Sequence, residues 1–152
     1  MIRKAQKSDE QQILTMMEEF YSSPAVLHKV PQFYFQKTFQ EICNGSPYCD
    51  LYLLETAAGV AGYALLAKTY SNEAGGLVVW IEEIYVREPF RGCGLGKEFF
   101  AVLERDYGGS VARFRLEVEE DNVEAILLYK RLGFEPLPYR QMIRELGELG
   151  NL

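Results

Sequence analysis

The sequence predicts an α/β (α+β) chain built on a single mixed, mostly antiparallel central sheet, with helices on both faces. Three observations carry that prediction. Two segments of helical periodicity come early, before any long strand. Three β-rich runs then follow one another with short turns between them, as antiparallel neighbours do. The second half alternates strand, helix, strand and helix, the pattern of crossover units that bring strands parallel. The order reads β-α-α-β-β-β-α-β-α-β, with room for one further strand, and both crossovers are expected to be right-handed.

Residues 2–5 form a short first strand. Ser8, Asp9, Glu10 and Gln11 supply a cap and an acidic first turn. Ile13, Leu14, Met17, Phe20 and Tyr21 then recur at helical spacing to about residue 22. Pro24 and Pro31 bracket a loop, and Phe35, Phe39 and Ile42 mark a second helix ending near Asn44-Gly45. Residues 50–56 and 60–70 read as a hairpin around Ala57-Ala58-Gly59. A polar connection, 71–76, leads to the strand 78–86. The next helix runs to about Tyr107, where Gly108-Gly109 stop it, and residues 111–118 read as strand. A helix over 122–132 closes at Gly133, and residues 134–146 are expected to hold a last strand or strand pair.

A length of 152 residues suits one domain, 1–152, with enough chain for a real core. Hydrophobic content of 48% and charged content of 25% are those of a globular protein. No apolar run reaches the 18 residues of a membrane span, and the N-terminus turns polar at once, unlike a signal peptide. A net charge of −6 argues against nucleic acid as a partner and suits a cationic or amine ligand. Three cysteines without metal-type spacing and a single histidine, His28, point to reduced thiols, a cytoplasmic setting and no metal site.

The most informative stretch is Arg91-Gly92-Cys93-Gly94-Leu95-Gly96-Lys97. It lies between a strand and a helix. Its glycines let backbone N–H groups approach a ligand closely, and the helix start adds unpaired donors and partial positive charge, a combination that binds phosphate. A dinucleotide fingerprint would need glycine where Lys97 stands, and a Walker loop would need glycine at Arg91. The second stretch is 119–134, in which Asn122 caps a helix whose stripe is Ala125, Leu128, Tyr129 and Leu132, followed by Gly133-Phe134. Asn122 and Tyr129, two turns apart, share a helical face about 10 Å in length.

Arg-x-x-Gly-x-Gly at 91–96 and Asn-x-x-Ala-x-x-x-Tyr-x-x-x-Gly-Phe at 122–134 together resemble the GCN5-related N-acetyltransferase (GNAT) superfamily, as does the element order over nearly the whole chain. The resemblance implies the acyl-CoA N-acyltransferase fold and acetyl-CoA as co-substrate. It implies that 91–97 holds the pyrophosphate, that Asn122 and Ala125 meet the pantetheine arm, and that Tyr129 acts as general acid at the sulfur. It further implies that backbone groups of Ile84, Tyr85 and Val86 pair with pantetheine as an added strand does.

Attack on a thioester needs a free amine, and a primary amine is mostly protonated at neutral pH. A carboxylate in reach can take that proton. Glu82 matches the position of the glutamate given this role in polyamine-acetylating members of the superfamily, and Glu83 is the runner-up. Cys93 has no histidine nearby in sequence to activate it, and direct transfer through a tetrahedral intermediate needs no covalent step. The acceptor site is expected between the first two helices, including His28, and near the 70–76 connection. A small polyamine-, aminoglycoside- or amino-acid-like amine is the expected partner. A peptide amine, a silent CoA-binding module and a homodimer stay open.

Overall fold

The computed structural model describes residues 1–24, 26 and 29–146. The chain divides into two compact units, Met1–Glu119 and Glu120–Leu152. The first contains β1 (Ile2–Lys4), α1 (Glu10–Tyr21), α2 (Gln32–Cys43), β2 (Cys49–Thr56), β3 (Gly59–Ser71), β4 (Gly76–Val86), α3 (Leu95–Tyr107) and β5 (Arg113–Leu116). Its strands lie in chain order, β1-β2-β3-β4-β5, antiparallel as far as β4 and parallel between β4 and β5. The sheet is therefore mixed and mostly antiparallel, as expected.

Strand alternation sends successive side chains to opposite faces. Leu51, Leu53 and Tyr63 meet Ile13, Met16, Met17, Phe35 and Phe39 from α1 and α2. Tyr52, one residue out of phase, packs edge-on against Phe99 of α3 at 6.0 Å and donates to Asp106 at 2.9 Å. Twelve residues make a marginal helix alone, so α1 is held by that inner face; each fully buried apolar side chain contributes roughly 1.5–3 kcal/mol.

An ionic knot joins β1, β2 and the entry to α1. Arg3 donates to both oxygens of Asp9, at 2.8 and 3.0 Å, and to both oxygens of Glu55, each at 3.1 Å. The Gln6 backbone N–H donates to Asp9 at 2.7 Å, so the acidic start expected around Ser8-Asp9 is a buried carboxylate shared between cap and ion pair.

The second unit holds α4 (Val123–Arg131). Residues 134–146 correct the sequence reading: they carry no strand and are almost wholly exposed. Pro136 and Pro138 each remove a ladder donor there, which weighs against the expected strand. Among the described residues no helix is long and apolar enough to cross a membrane.

The Arg3 hydrogen bonds hold the Asp9 carboxyl below its ordinary range. A carboxyl whose folded value is depressed stabilises the protein above its unfolded value, near pH 4, and that contribution fades as pH falls through the depressed one. Asp9→Asn should therefore cost about 1–3 kcal/mol at neutral pH, with the gap to the parent protein narrowing in acid. Thermal melts of both proteins across pH 2–7 measure this, and equal Tm values at pH 7 would deny Asp9 the role.

Candidate acetyl-transfer site

Strand β4 is where the two halves of the sheet part. It pairs with β5 only from Val78 to Ile81, while its pairing with β3 continues to Val86. Beyond Ile81 the β5-side edge of β4 has no strand neighbour among the described residues. On the other edge Gly62 permits very close approach: a Cβ there would stand 2.0 Å from the Tyr85 carbonyl oxygen. The unpaired edge thus covers Ile84, Tyr85 and Val86, the residues expected to face a pantetheine arm. The Arg91 Nε donates to the Val86 carbonyl at 2.9 Å, so that group is already engaged.

The register slips at the same place. Leu65 stands opposite Glu83 and Leu66 opposite Ile81, so Glu82 is an extra residue, a β-bulge. The bulge separates the environments of the two carboxylates. Glu83 accepts from the Tyr21 hydroxyl at 2.5 Å and from the Tyr63 hydroxyl at 2.7 Å, one phenol on each oxygen. Burial pushes its carboxyl up and the two phenols pull it back, with a net upward shift. Burial and the Glu83 charge raise both phenols, which therefore remain donors at neutral pH. Glu82 keeps an exposed side chain and makes no hydrogen bond among the described residues. Desolvation raises its carboxyl most, followed by the charges of Glu117 and then Glu83. Both carboxyls are raised, and Glu82 is the exposed one of the pair.

Neighbouring groups brace this region. Glu19 on α1 accepts from Tyr85 at 3.1 Å and from Arg87 at 3.0 and 2.9 Å, tying α1 to the end of β4. Arg115 of β5 lies 4.1 Å over the Trp80 ring, opposite it in register.

A 3-10 turn, Glu88–Phe90, follows β4, and the glycine stretch then leads into α3. Gly92 and Gly94 take the left-handed conformation, φ +72° and +82°, and Gly94 is the N-cap of α3. No side chain caps this helix. Arg91, Cys93 and Lys97 are exposed, Gly96 is half-buried and Leu95 is turned into the core. First-turn donors left without a side-chain partner suit a pyrophosphate.

In the second unit the Asn122 side chain accepts from the Ala125 N–H at 3.2 Å, which makes it the cap of α4. Gly133 at φ +86° ends the helix, and Phe134 packs edge-on to Tyr129 at 5.9 Å. Partial burial raises the Tyr129 phenol, keeping it protonated. Asn122 thus spends its oxygen on the helix, and its amide N–H₂ is the part that suits a ligand.

Glu82, Glu83, 84–86 and 91–97 are all brought onto one continuous strand-turn-helix run. His28 lies outside the described residues. Tyr21, Tyr63 and Glu117 escaped the sequence reading as partners of the glutamates. Tyr21 belonged to an apolar stripe that looked like core, and only the register puts Tyr63 beside Glu83.

Residues 12–134 match the acetyltransferase (GNAT) family. The thialysine N-epsilon-acetyltransferase of Mus musculus is 30% identical over 150 residues, 90% of this chain and 84% of that one. The spermine/spermidine N(1)-acetyltransferase of Bacillus subtilis is 31% identical over 95 residues; the match covers 61% of this chain and 62%, less than two thirds, of that relative. An aminoglycoside N-acetyltransferase solved in complex with CoA superposes with a TM-score of 0.77 at 18% identity, covering 97% of this chain and 95% of that one, and so shares the fold. With four-fifths of its length matched, this chain belongs to the acetyltransferase (GNAT) family.

Proposed function

We propose that the chain transfers an acetyl group from acetyl-CoA to a primary amine of a small molecule. The observation that carries this is the bulge at Glu82, set where β4 loses β5 and ten residues ahead of the Gly92–Gly94 turn. It puts a basic carboxylate at the start of an open backbone edge that runs to an uncapped helix. The relatives that acetylate thialysine and spermine or spermidine support an amine acceptor. Three free thiols, Cys43, Cys49 and Cys93, support a reducing, cytoplasmic setting.

The residues present fit acetyl-CoA: left-handed glycines, uncapped first-turn donors and an unpaired strand edge suit a pyrophosphate with an amide-bearing arm. When bound, that group supplies an activated acetyl thioester. Arg91, Lys97 and the first-turn N–H groups of α3 hold the phosphates. Ile84 and Tyr85 offer backbone groups to the arm, with Val86 partly committed to Arg91. Asn122 and Ala125, at the start of α4, orient the arm. Glu82 takes the proton of the incoming ammonium, and Tyr129 gives its proton to the departing sulfur. Glu83, held by two phenols, contributes negative charge that draws the ammonium in.

Calorimetry should show CoA and acetyl-CoA binding well ahead of ATP or NAD, and NAD binding equally well would sink the assignment. Gly94→Val should abolish that binding. Its Cβ meets no protein atom within 4 Å, so the cost to the fold is the left-handed backbone, about 1–2 kcal/mol, and a melt separates that from lost binding.

Thiol release from acetyl-CoA across an amine panel tests transfer itself. In that assay the acid limb of kcat/KM should lie above the ordinary carboxylate range, because Glu82 must be ionised to act and its carboxyl is raised. Glu82→Gln should lower kcat/KM at pH 7 and recover in part at high pH, where free amine forms unaided. An unchanged profile would move the base to Glu83 or water.

Tyr129→Phe keeps the ring and removes the hydroxyl. A thiolate leaves tolerably by itself, so kcat should fall by about 10²-fold, the lower end for general acid catalysis. Acetyl-CoA affinity should change by less than about tenfold, or about 1.4 kcal/mol. A lowered Tm with normal turnover per folded molecule would make Tyr129 structural instead.

A further inference from the structure

Arg113, Arg115 and Glu117 occupy every second position along and just past β5, so they share one face. Two of them are committed. Arg113 donates to Glu73 at 2.9 Å, and Arg115 lies over the Trp80 ring at 4.1 Å. Glu117 is exposed and makes no ion pair among the described residues. Trp80 pairs with Arg115, and Ile81 with Leu116 on the last rung of the parallel ladder. Glu82 and Glu117 are therefore the next residues on either strand, each two beyond the stacked Trp80–Arg115 pair, at the point where the strands part. Of the two charges that raise the Glu82 carboxyl, that of Glu117 acts more strongly than that of the chain neighbour Glu83. The Tyr21 phenol from α1 senses the Glu82 charge as well. From β3 the residues opposite the bulge, Leu65 and Leu66, carry no charge.

Resting on the acetyl-transfer reading, we propose that Glu117 is a positioning residue for the transfer: across the gap from Glu82, its carboxylate helps draw the acceptor ammonium in between the two strands and keeps on Glu82 the proton that the ammonium gives up. The cause is like-charge repulsion. Two nearby carboxylates ionise together only at a cost, and a cation or a proton beside them relieves it. The arriving ammonium is attracted by both charges. Once its proton has passed to Glu82, the ionised Glu117 no longer faces a like charge there, so transfer in that direction is favoured. The bonds made and broken are those of the acetyl transfer already described, and Glu117 itself neither gains nor loses a proton.

Glu117→Gln keeps the shape of the side chain and removes its charge. Carbon-13 NMR of the glutamate carboxyls, with Glu82→Gln to assign the Glu82 signal, follows the titration of Glu82 without any substrate. In Glu117→Gln the Glu82 midpoint should fall, because the repelling charge is gone. Glu117→Asp keeps the charge and should stay close to the parent. In 1 M NaCl the parent and Glu117→Gln should converge, because a Debye length of about 3 Å screens the contact. In the thiol-release assay with spermidine the acid limb of kcat/KM should move to lower pH in Glu117→Gln, and KM should rise about two- to fivefold, the scale of one solvent-exposed charge pair. A side chain that served only the fold would lower Tm and leave the midpoint and the acid limb in place. An unmoved Glu82 midpoint in Glu117→Gln would overturn this role and leave acetyl transfer standing. No thiol release from the parent protein with any amine would overturn both.

Discussion

The loss of β5 as a neighbour after Ile81 is the constraint on which the rest of the site depends. A strand inside a sheet has both edges satisfied, and an edge left bare invites pairing with any extended polar chain. Here the bare edge is short, lies inside the sheet between β4 and β5, and begins at a bulge. Alternation along a strand already sends adjacent residues to opposite faces, and the bulge adds to it by leaving Glu82 without a partner residue on β3. With it, one carboxylate is tied by two phenols and the other is left to solvent and to the charges of its neighbours.

That electrostatic arrangement is costly unless it is supported. The charges of Glu117 and Glu83 both act on Glu82, and burial of a carboxylate such as Glu83 is unfavourable without donors. Tyr21 and Tyr63 supply donors that stay protonated, so they satisfy Glu83 without neutralising it. The Glu19 contacts to Tyr85 and Arg87 then keep α1, which carries Tyr21, registered against the strand.

Glycine serves the site in two different ways. Gly62 is needed for space, since any side chain would collide with the Tyr85 carbonyl. Gly92 and Gly94 are needed for backbone conformation, since their φ values are ones that L side chains rarely adopt, while the space around them is open. The first kind sets how closely β3 can brace the bare half of β4. The second turns the chain into α3 with its first-turn donors unblocked.

Element order, the glycine turn and the capping of α4 by Asn122 were legible in the residues themselves. They depend on local physics: periodicity, the conformations glycine allows, and a side chain reaching a backbone group three residues away. The reading failed at 134–146, where Pro136 and Pro138 weigh against a strand and where a strand needs a partner that sequence alone does not provide. The separate fates of Glu82 and Glu83 were equally out of reach. They rest on an inter-strand register slip, on a tyrosine from a helix 62 residues away in the chain and on another from the facing strand. Long-range pairing decides such contacts, so the sequence by itself determined the fold and the family of chemistry, and only the tertiary structure decided which carboxylate is held by two phenols and which is left exposed.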